Sequence, residues 1–430
     1  MFCNQCEQTA NGTGCRDLGV CGKDPDVQSL QETLLYGVKG MAAYANHARR
    51  LGQSDESVSA FIEEALFATM TNVNFDMPSL LEMVLECGKH NLRVMQMLDA
   101  GHAERFGIPS PVTVYEGTKP GPGILVTGHD LLDLSDLLDQ TAGMGINVYT
   151  HGEMLPAHAY PKLRAHPHLA GHFGGPWQNQ QFEFPLFSGP IVATTNCVLI
   201  PWDSYKDRLF TTRVTAVPGG TRLKTNDFSP VIDMARKSPA LVEKKVREST
   251  IGFHHQAILG VADKVVQAVK NGDIKRFYLI GGCDGAEIGR NYYTKVAHAA
   301  PNESVILTLG CGKYRIRNHE YGTVAGLPRL LDMGQCNDAY GAIQVALGLA
   351  KAFDCGVNDL PLEIVLSWFE QKAVAVLLTL LYLGVKGIRL GPVAPAFITP
   401  GVFQILQEKF DLKLIESEPP PELYQLPVAG

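Results

Sequence analysis

The sequence predicts a multidomain α + α/β fold, in which an N-terminal helical bundle precedes two Rossmann-like α/β domains with mainly parallel sheets. The chain has 430 residues, more than the roughly 250 to 300 at which a single core stops growing. Helical spacing of apolar residues dominates the first quarter, and short apolar segments alternate with helical patterns after it. We therefore predict domains at 1–112, 113–252 and 253–430.

Three segments predict the bundle because their apolar residues recur at helical spacing. They are LQETLLYGVKGMAAYANHARRLG, SDESVSAFIEEALFATM, which begins with Ser and Asp caps, and MPSLLEMVLECGKHNLRVMQMLDAG. Short links between such helices favour an antiparallel bundle.

Short apolar segments bounded by glycine predict the strands of the two α/β domains. The best candidates are GILVTG, NVYTHG, PIVATTN, RFYLIGG, SVILTLG and KGIRLG. A change in pattern near residue 250, at STIGFHHQAILG, predicts the boundary between the two domains.

Composition and charge exclude several classes of protein. Hydrophobic residues make up 45% and charged residues 19%, with a formal net charge of -7 and no basic stripe, so a nucleic-acid partner is not expected. The longest apolar run, Ala373 to Val385, is shorter than the ~18 residues of a membrane span, and we find no secretory signal. We expect a cytoplasmic protein without membrane contact.

The sequence contains neither a G-x-G-x-x-G motif after a strand nor a P-loop, so it does not indicate NAD or ATP binding.

Four cysteines lie in the segment MFCNQCEQTANGTGCRDLGVC, at Cys3, Cys6, Cys15 and Cys21. In a reducing compartment, clustered cysteines bind metal or perform redox chemistry more often than they form disulfides. Their spacing, C-x2-C-x8-C-x5-C, is compatible with zinc and with an iron–sulfur cluster. We predict a metal site here, and the spacing leaves its metal open.

Metal-binding residues follow five of the predicted strands. Ligands of open α/β sheets bind beyond the carboxyl ends of the strands. The residues in these positions are His129, Glu153, Cys197, Cys283 and Cys311. Cys336, in the loop GQCNDAY, is a further candidate. A buried thiol or a helix cap explains any one of them alone, but their repetition at equivalent positions predicts a shared site.

The segment LEIVLSWFEQKAVAVLLTLLYLG is apolar nearly all round, which predicts a buried helix. Glu370 and Lys372 interrupt it, and buried charges are paired or bind metal. A salt bridge to residues elsewhere is one explanation. Because positions i and i+2 lie on different sides of a helix, we predict Glu370 as a ligand and Lys372 as a neighbouring charge or proton donor.

Seven candidate ligands are too many for one tetrahedral zinc, which takes four. Thiolates favour sulfide-bridged iron, whereas imidazole and carboxylate suit iron with oxygen ligands. The set therefore predicts a polynuclear centre with a sulfur side and an oxygen side, where an open iron position could bind a small substrate.

The run HPHLAGHFGG holds three further histidines, at His166, His168 and His172. Its glycines and prolines favour a surface loop, so we predict exposed side chains and no metal.

Ordered motifs along almost the whole chain resemble the hybrid cluster protein family, also called prismane proteins, whose members are described as hydroxylamine reductases. The motifs are CNQCEQTA, TGHDLLDL, THGEMLPAHAYP, TTNC, GGCDGA with GRNYYT, LGCGKYR, GQCNDAY and WFEQKAVAVLLTLLYLG. With room for only one three-helix bundle, the chain resembles the short class of the family.

The resemblance implies two metal clusters and the residues that hold them. A 4Fe-4S cluster, or a 2Fe-2S cluster as in some members, would bind Cys3, Cys6, Cys15 and Cys21. A hybrid 4Fe-2O-2S cluster at the domain interface would bind His129, Glu153, Cys197, Cys283, Cys311, Cys336 and Glu370. In the family, the cysteine at the position of Cys283 can carry a persulfide, and Lys372 matches a lysine beside the hybrid cluster.

The resemblance also implies an oxidoreductase that converts hydroxylamine, two electrons and two protons to ammonia and water. Glu153, Glu370 and Lys372 are the expected catalytic residues, and a ferredoxin or an NADH-dependent reductase is the expected type of electron donor. Reduction of nitric oxide to nitrous oxide, as a defence against nitrosative stress, is an alternative. Carbon monoxide oxidation and a nitric oxide sensing or nitrosylating role are two others.

Overall fold

The computed structural model describes residues 1–426. It has the predicted fold class, with an N-terminal helical region followed by two large, mainly parallel sheets. The domain limits remain a prediction, and the last four residues of the third predicted domain lie outside the described residues. No helix in the described part of the chain is long and apolar enough to span a membrane.

The N-terminal region consists of three helices that begin at aspartate caps. Asp24, Asp55 and Asp76 each accept a hydrogen bond from a backbone N–H of the first turn, which satisfies a donor that the helix leaves free. The helices are α1 (Pro25–Arg50), α2 (Glu56–Ala68) and α3 (Met77–Phe106). The predicted three-helix arrangement is confirmed.

The first sheet has eight strands in the order β7-β6-β5-β2-β3-β4-β1-β8, parallel except for the antiparallel pair β1 and β8. Its strands are β1 (Val112–Thr118), β2 (Gly123–Thr127), β3 (Asn147–Thr150), β4 (Leu169–His172), β5 (Ile191–Ala193), β6 (Leu209–Thr212), β7 (Thr221–Leu223) and β8 (Lys244–Ile251). The helices of this part are α4 (Leu131–Thr141), α5 (Pro161–Arg164), α6 (Gln180–Glu183) and α7 (Ser229–Lys237).

The second sheet has six parallel strands in the order β13-β10-β9-β14-β15-β16, and β11 pairs with β12 in a separate hairpin. The strands are β9 (Arg276–Gly282), β10 (Ser304–Thr308), β11 (Thr323–Val324), β12 (Leu327–Pro328), β13 (Leu330–Asp332), β14 (Leu362–Ser367), β15 (Arg389–Gly391) and β16 (Lys413–Leu414). The helices are α8 (His255–Leu259), α9 (Ala262–Lys270), α10 (Tyr292–Ala299), α11 (Lys313–Ile316), α12 (Ala339–Ala352), α13 (Gln371–Tyr382) and α14 (Pro400–Phe410).

The apolar segment 362–384 is not the single buried helix that we predicted. Its first part forms the central strand β14, and only its second part forms helix α13. A strand buried on both faces of a parallel sheet is also a continuous apolar run, so periodicity does not distinguish the two structures. Glu370 therefore lies before the helix, where its side chain accepts a hydrogen bond from Lys372 N as the N-cap.

Helix α13 packs between α1 and α3, and two glycines permit this close approach. A Cβ atom at Gly40 would overlap the carbonyl group of Gln371, and one at Gly88 would overlap the carbonyl group of Leu378. Asn91 Nδ2 of α3 donates to Thr379 Oγ1 at 2.9 Å, which fixes α13 at this position. The N-terminal helices thus share one core with the second sheet.

The histidine run 166–172 differs from the predicted surface loop. His172 ends strand β4 and is fully buried, with hydrogen bonds to Thr150 Oγ1 at 2.9 Å and Tyr314 Oη at 3.0 Å. His168 is partly buried against Thr141. The sequence did not indicate this short parallel strand, because strand formation depends on the neighbouring strands of the sheet as well as on composition.

Candidate metal centre

Every predicted ligand of the second centre follows a parallel strand. The three from the first sheet lie after β2, β3 and β5, and the four from the second sheet lie after β9, β10, β13 and β14. In chain order they are His129, Glu153, Cys197, Cys283, Cys311, Cys336 and Glu370. The carboxyl edges of the two sheets face one another, which is where ligands of parallel sheets bind.

A hydrogen-bonded contact joins the two sheets at this centre. Glu153 Oε2 accepts a hydrogen bond from the backbone N–H of Cys336 at 2.8 Å and lies 4.0 Å from His129 Nε2. Potential ligand atoms of His129, Glu153 and Cys336 all lie within 4.8 Å of one another. Gln335 Nε2 donates to the backbone oxygens of His129 and Glu153, at 3.1 and 2.8 Å. These contacts hold a nitrogen, an oxygen and a sulfur donor side by side.

The free atoms of this group fit a bound metal cluster. Glu153 Oε1 is buried and has no hydrogen-bond partner among the described residues, although a buried carboxylate oxygen normally has one. His129 Nδ1 shares a hydrogen bond of 2.7 Å with Thr195 Oγ1. A proton on Nδ1 leaves Nε2 free to bind metal, which is the usual arrangement of a metal-binding histidine.

Burial keeps the sulfur and nitrogen donors uncharged in the absence of metal. Burial raises the pKa of Cys336 to about 12. Burial also raises the pKa of Cys283 well above its usual range, and the neighbouring Glu370 and Cys197 raise it further. Burial, together with the charge of Lys372, lowers the pKa of His129 well below its usual range. Deprotonation of these thiols therefore requires a bound cation, which compensates their charge.

Cys197 and Cys283 are held by residues of the loop 176–180. Cys197 has φ 63°, in the left-handed region, and its carbonyl accepts a hydrogen bond from Gln180 Nε2 at 2.7 Å. The carbonyl of Cys283 accepts hydrogen bonds from Trp177 Nε1 and Gln178 Nε2, each at 3.1 Å. Trp177 therefore holds the Cys283 loop in addition to packing against Phe369.

Glu370 and Lys372 lie together at the start of α13. Lys372 is buried, and its Nζ atom lies 3.7 Å from Glu370 Oε1. Burial alone would lower the pKa of Lys372, but the negative charge of Glu370 opposes this effect, and the pKa of Lys372 is raised above its usual value. Because Glu370 is an N-cap, both side chains can face the same centre, which the predicted helix would not have allowed.

Tyr44 is a contact of the site that sequence analysis missed. Its hydroxyl donates to Cys336 Sγ at 3.2 Å from the middle of α1. The two residues are 292 positions apart, so no local pattern indicates the contact. Gln335 was also missed, although it stands beside Cys336 in the motif GQCNDAY.

Backbone pairing joins two of the four N-terminal cysteines. Cys3 and Cys15 pair their backbones in an antiparallel bridge, with hydrogen bonds of 3.0 and 2.8 Å. Cys15 Sγ accepts a hydrogen bond from Ala10 N at 3.5 Å. Backbone hydrogen bonds from Ala10 and Val20 lower the pKa of Cys15. Donors directed at sulfur suit a thiolate that binds metal.

A second set of metal-type residues lies apart from these centres and is explained by hydrogen bonding. His254 Nε2 lies 2.9 Å from Asp99 Oδ1, and His254 Nδ1 accepts from Gln256 N at 3.4 Å. A neutral ring that accepts at Nδ1 carries its proton at Nε2, where it donates to Asp99. His254 therefore caps α8 and joins it to α3.

Comparison with known proteins agrees with this architecture. The model of the Prismane/CO dehydrogenase family matches residues 1–86 and 76–418. A hydroxylamine reductase from Moorella thermoacetica is 61% identical over 415 residues, covering 96% of this chain and 97% of the relative. A hydroxylamine reductase from Geobacter sulfurreducens is 44% identical, covering 96% of this chain and 97% of the relative. One from Rhodospirillum rubrum is 56% identical, covering 90% of this chain and 70% of the relative.

Solved structures share the fold at much lower identity. Carbon monoxide dehydrogenase IV from Carboxydothermus hydrogenoformans superposes with a TM-score of 0.77 at 15% identity, covering 96% of this chain and 89% of that chain. A nickel-free carbon monoxide dehydrogenase from Thermococcus sp. AM4 superposes with a TM-score of 0.77 at 17% identity, covering 98% of this chain and 88% of that chain. The resemblance indicated by the sequence motifs is confirmed. The chain belongs to the Prismane/CO dehydrogenase family.

Proposed function

We propose that this protein is an iron–sulfur reductase that cleaves the N–O bond of hydroxylamine, using two electrons and two protons to form ammonia and water. The observation that carries the proposal is the close group of the buried His129 and Glu153 with the half-buried Cys336, in which Glu153 Oε1 has no hydrogen-bond partner among residues 1–426. The names of relatives at 44 to 61% identity support the reaction.

The proposed cofactors are two clusters. A 4Fe-4S cluster, with 2Fe-2S as the alternative, would be held by Cys3, Cys6, Cys15 and Cys21. A hybrid 4Fe-2O-2S cluster would be held by His129, Glu153, Cys197, Cys283, Cys311, Cys336 and Glu370, with a persulfide at Cys283. When bound, these groups supply electrons and an iron that acts as a Lewis acid towards the substrate.

The chain itself supplies charge and protons at the second centre. Lys372 is a buried cation whose Nζ atom lies 3.7 Å from Glu370 Oε1. We assign to it the donation of a proton to the nitrogen or the oxygen of hydroxylamine as the N–O bond breaks. Burial raises the pKa of Glu153 despite the opposing charge of Lys313. A carboxyl group whose pKa is raised by burial binds a proton more readily than a solvated one. We propose Glu153 and Glu370 as ligands that also relay protons.

The proposed partners are a small nitrogen substrate and an electron donor such as a ferredoxin or an NADH-dependent reductase. Nitric oxide is the alternative substrate. Likeness to carbon monoxide dehydrogenases at 15 to 17% identity concerns the fold alone, so carbon monoxide oxidation is not proposed here.

Substitution of Glu370 by Gln tests both the site and the reaction. Anaerobically prepared protein would be assayed for oxidation of reduced methyl viologen by hydroxylamine, with ammonia as the measured product. We expect at least about a hundredfold loss of activity, while the spectroscopic signal of the N-terminal cluster persists. Glu363→Gln is the matched control, because Glu363 lies on β14, the strand that precedes Glu370, and pairs with Arg276.

Two results would contradict the proposal in different ways. Unchanged activity in Glu370→Gln, with Glu363→Gln also unchanged, would refute the role of Glu370. Unaltered protein that contains the full complement of iron and sulfide but forms no ammonia would refute the reaction.

A further inference from the structure

A buried lysine lies beside the N-terminal cysteines, and none of its hydrogen-bond partners in the described part of the chain is a carboxylate. Lys23 is 2% exposed. Its Nζ atom donates to Gln28 Oε1 at 2.9 Å and Gln31 Oε1 at 2.7 Å, and lies 3.9 Å from Cys3 Sγ. The three protons of the ammonium group thus face two neutral amide oxygens and a sulfur atom.

The glutamine oxygens are fixed towards Lys23 by second contacts of the same side chains. Gln28 Nε2 donates to Glu32 Oε1 at 2.9 Å, and Gln31 Nε2 donates to Asn74 O at 2.8 Å. The ring of Phe75 lies 5.8 Å from Nζ. The first turns of α1 and the approach to α3 therefore form a preorganised site for the Lys23 ammonium.

The other buried lysines of the described chain have carboxylate partners. Lys313 Nζ lies 2.6 Å from Asp332 Oδ1, and Lys372 Nζ lies 3.7 Å from Glu370 Oε1. A buried cation needs nearby negative charge because its transfer from water is costly. For Lys23, the nearest candidates for this charge are the thiolates of the N-terminal site.

We infer that Lys23 is the counter-charge of the N-terminal cluster and raises its reduction potential. The inference rests on the proposed cluster at Cys3, Cys6, Cys15 and Cys21. Reduction adds one negative charge to the cluster, and a buried cation interacts more strongly with that charge than an exposed cation at the same distance, because the local dielectric constant is lower. Lys23 is thus a positioning and tuning residue, which favours entry of electrons at the first cluster.

Redox titration followed by electron paramagnetic resonance tests this role in anaerobically prepared protein with both clusters. In Lys23→Met and Lys23→Gln, we expect the equilibrium constant for one-electron reduction of the N-terminal cluster to fall at least about tenfold, a shift of about 59 mV. Lys23→Arg keeps the charge and should titrate near the unaltered protein. The second cluster is the internal control, and its potential should not change.

Each outcome supports or refutes the inference. Equal potentials in Lys23→Met, Lys23→Gln and the unaltered protein, at equal iron and sulfide content, would refute it. Loss of the cluster in both neutral variants but not in Lys23→Arg would support a charge requirement, whereas loss in all three would show a packing role and refute it. Absence of any N-terminal cluster signal from the unaltered protein would instead refute the proposed cofactor on which the inference rests.

Discussion

The hydroxyl of the buried Tyr44, on helix α1, donates a hydrogen bond of 3.2 Å to Sγ of the half-buried Cys336, in the second α/β region. The same helix contributes Gln28 and Gln31, which hold Lys23 at the N-terminal cysteines. At a rise of ~1.5 Å per residue, about 20 Å of helix separates Gln31 from Tyr44. Helix α1 therefore forms part of the surroundings of both proposed clusters.

Replacement of Tyr44 by Phe should make the second cluster harder to reduce. The variant keeps the ring and removes a hydrogen bond to sulfur, and hydrogen bonds to charged groups contribute about 1.5–3 kcal/mol. We expect the equilibrium constant for reduction to fall about tenfold, measured by potentiometric titration. Tyr36→Phe is the control on the same helix, because Tyr36 packs against Phe397 outside the site. Equal potentials for the Tyr44 variant and the unaltered protein would contradict this role.

Replacement of Lys372 by Met should reduce turnover while the metal remains bound. Lys372 is adjacent to Glu370 but is not a proposed ligand, and its charge is stabilised by the surrounding acidic groups. We expect hydroxylamine reduction to fall about a hundredfold or more, as for loss of a general acid, with unchanged iron content by elemental analysis. Lys386→Met removes an exposed lysine beyond the same helix and should be neutral. Loss of iron together with activity would indicate that Lys372 maintains the site rather than donates protons.

The positions of the candidate ligands at strand ends were predictable because they follow from a local rule. His129, Glu153, Cys197, Cys283 and Cys311 were each located from the strand that precedes them, and their strands are present. Glu370 obeys the same rule after β14, but its strand was mistaken for part of a helix. Glu370 therefore remains a candidate ligand, whereas its predicted secondary structure was wrong.

Contacts between distant parts of the chain could not be predicted in the same way. The hydrogen bond from Tyr44 to Cys336 and the insertion of α13 between α1 and α3 join segments roughly 290 residues apart. A helix that is apolar all round indicates burial but not its partners. The role of Gly88, which admits the backbone of α13, is likewise visible only when both helices are present.

Replacement of Gly88 by Ala should destabilise the protein and disturb the second cluster. A Cβ atom there would overlap the carbonyl group of Leu378, which is backbone and cannot move aside as a side chain end can. We expect the free energy of unfolding to fall by about 1–3 kcal/mol, as for overpacked cores. The iron content should also fall, because the candidate ligand Glu370 is the N-cap of α13. Gly260→Ala is the control, since Gly260 has φ -63° and its added Cβ would approach nothing closer than 3.1 Å. Equal stability of the two variants would contradict the packing argument.

Acidification should destabilise the protein partly through His102. Burial lowers the pKa of His102 to about 4, against a usual value of 6.5, and His102 Nδ1 has no hydrogen-bond partner within the described residues. The folded state thus keeps His102 neutral while the unfolded state takes up a proton below pH 6.5. Its contribution to stability is complete above pH 6.5 and is lost as the pH falls towards 4, at about 1.4 kcal/mol per pH unit.

Replacement of His102 by Gln isolates this contribution from the acid sensitivity of other groups. Free energies of unfolding at pH 7.5 and 5.5 should differ less in His102→Gln than in the unaltered protein, by about 1 kcal/mol. His319→Gln, at an exposed histidine, should keep the full pH dependence. If His102→Gln loses as much stability between these pH values as the unaltered protein does, the buried neutral imidazole is not a source of the acid sensitivity. The comparison uses protein with both clusters in every case, so that any acid lability of the clusters is common to all three proteins.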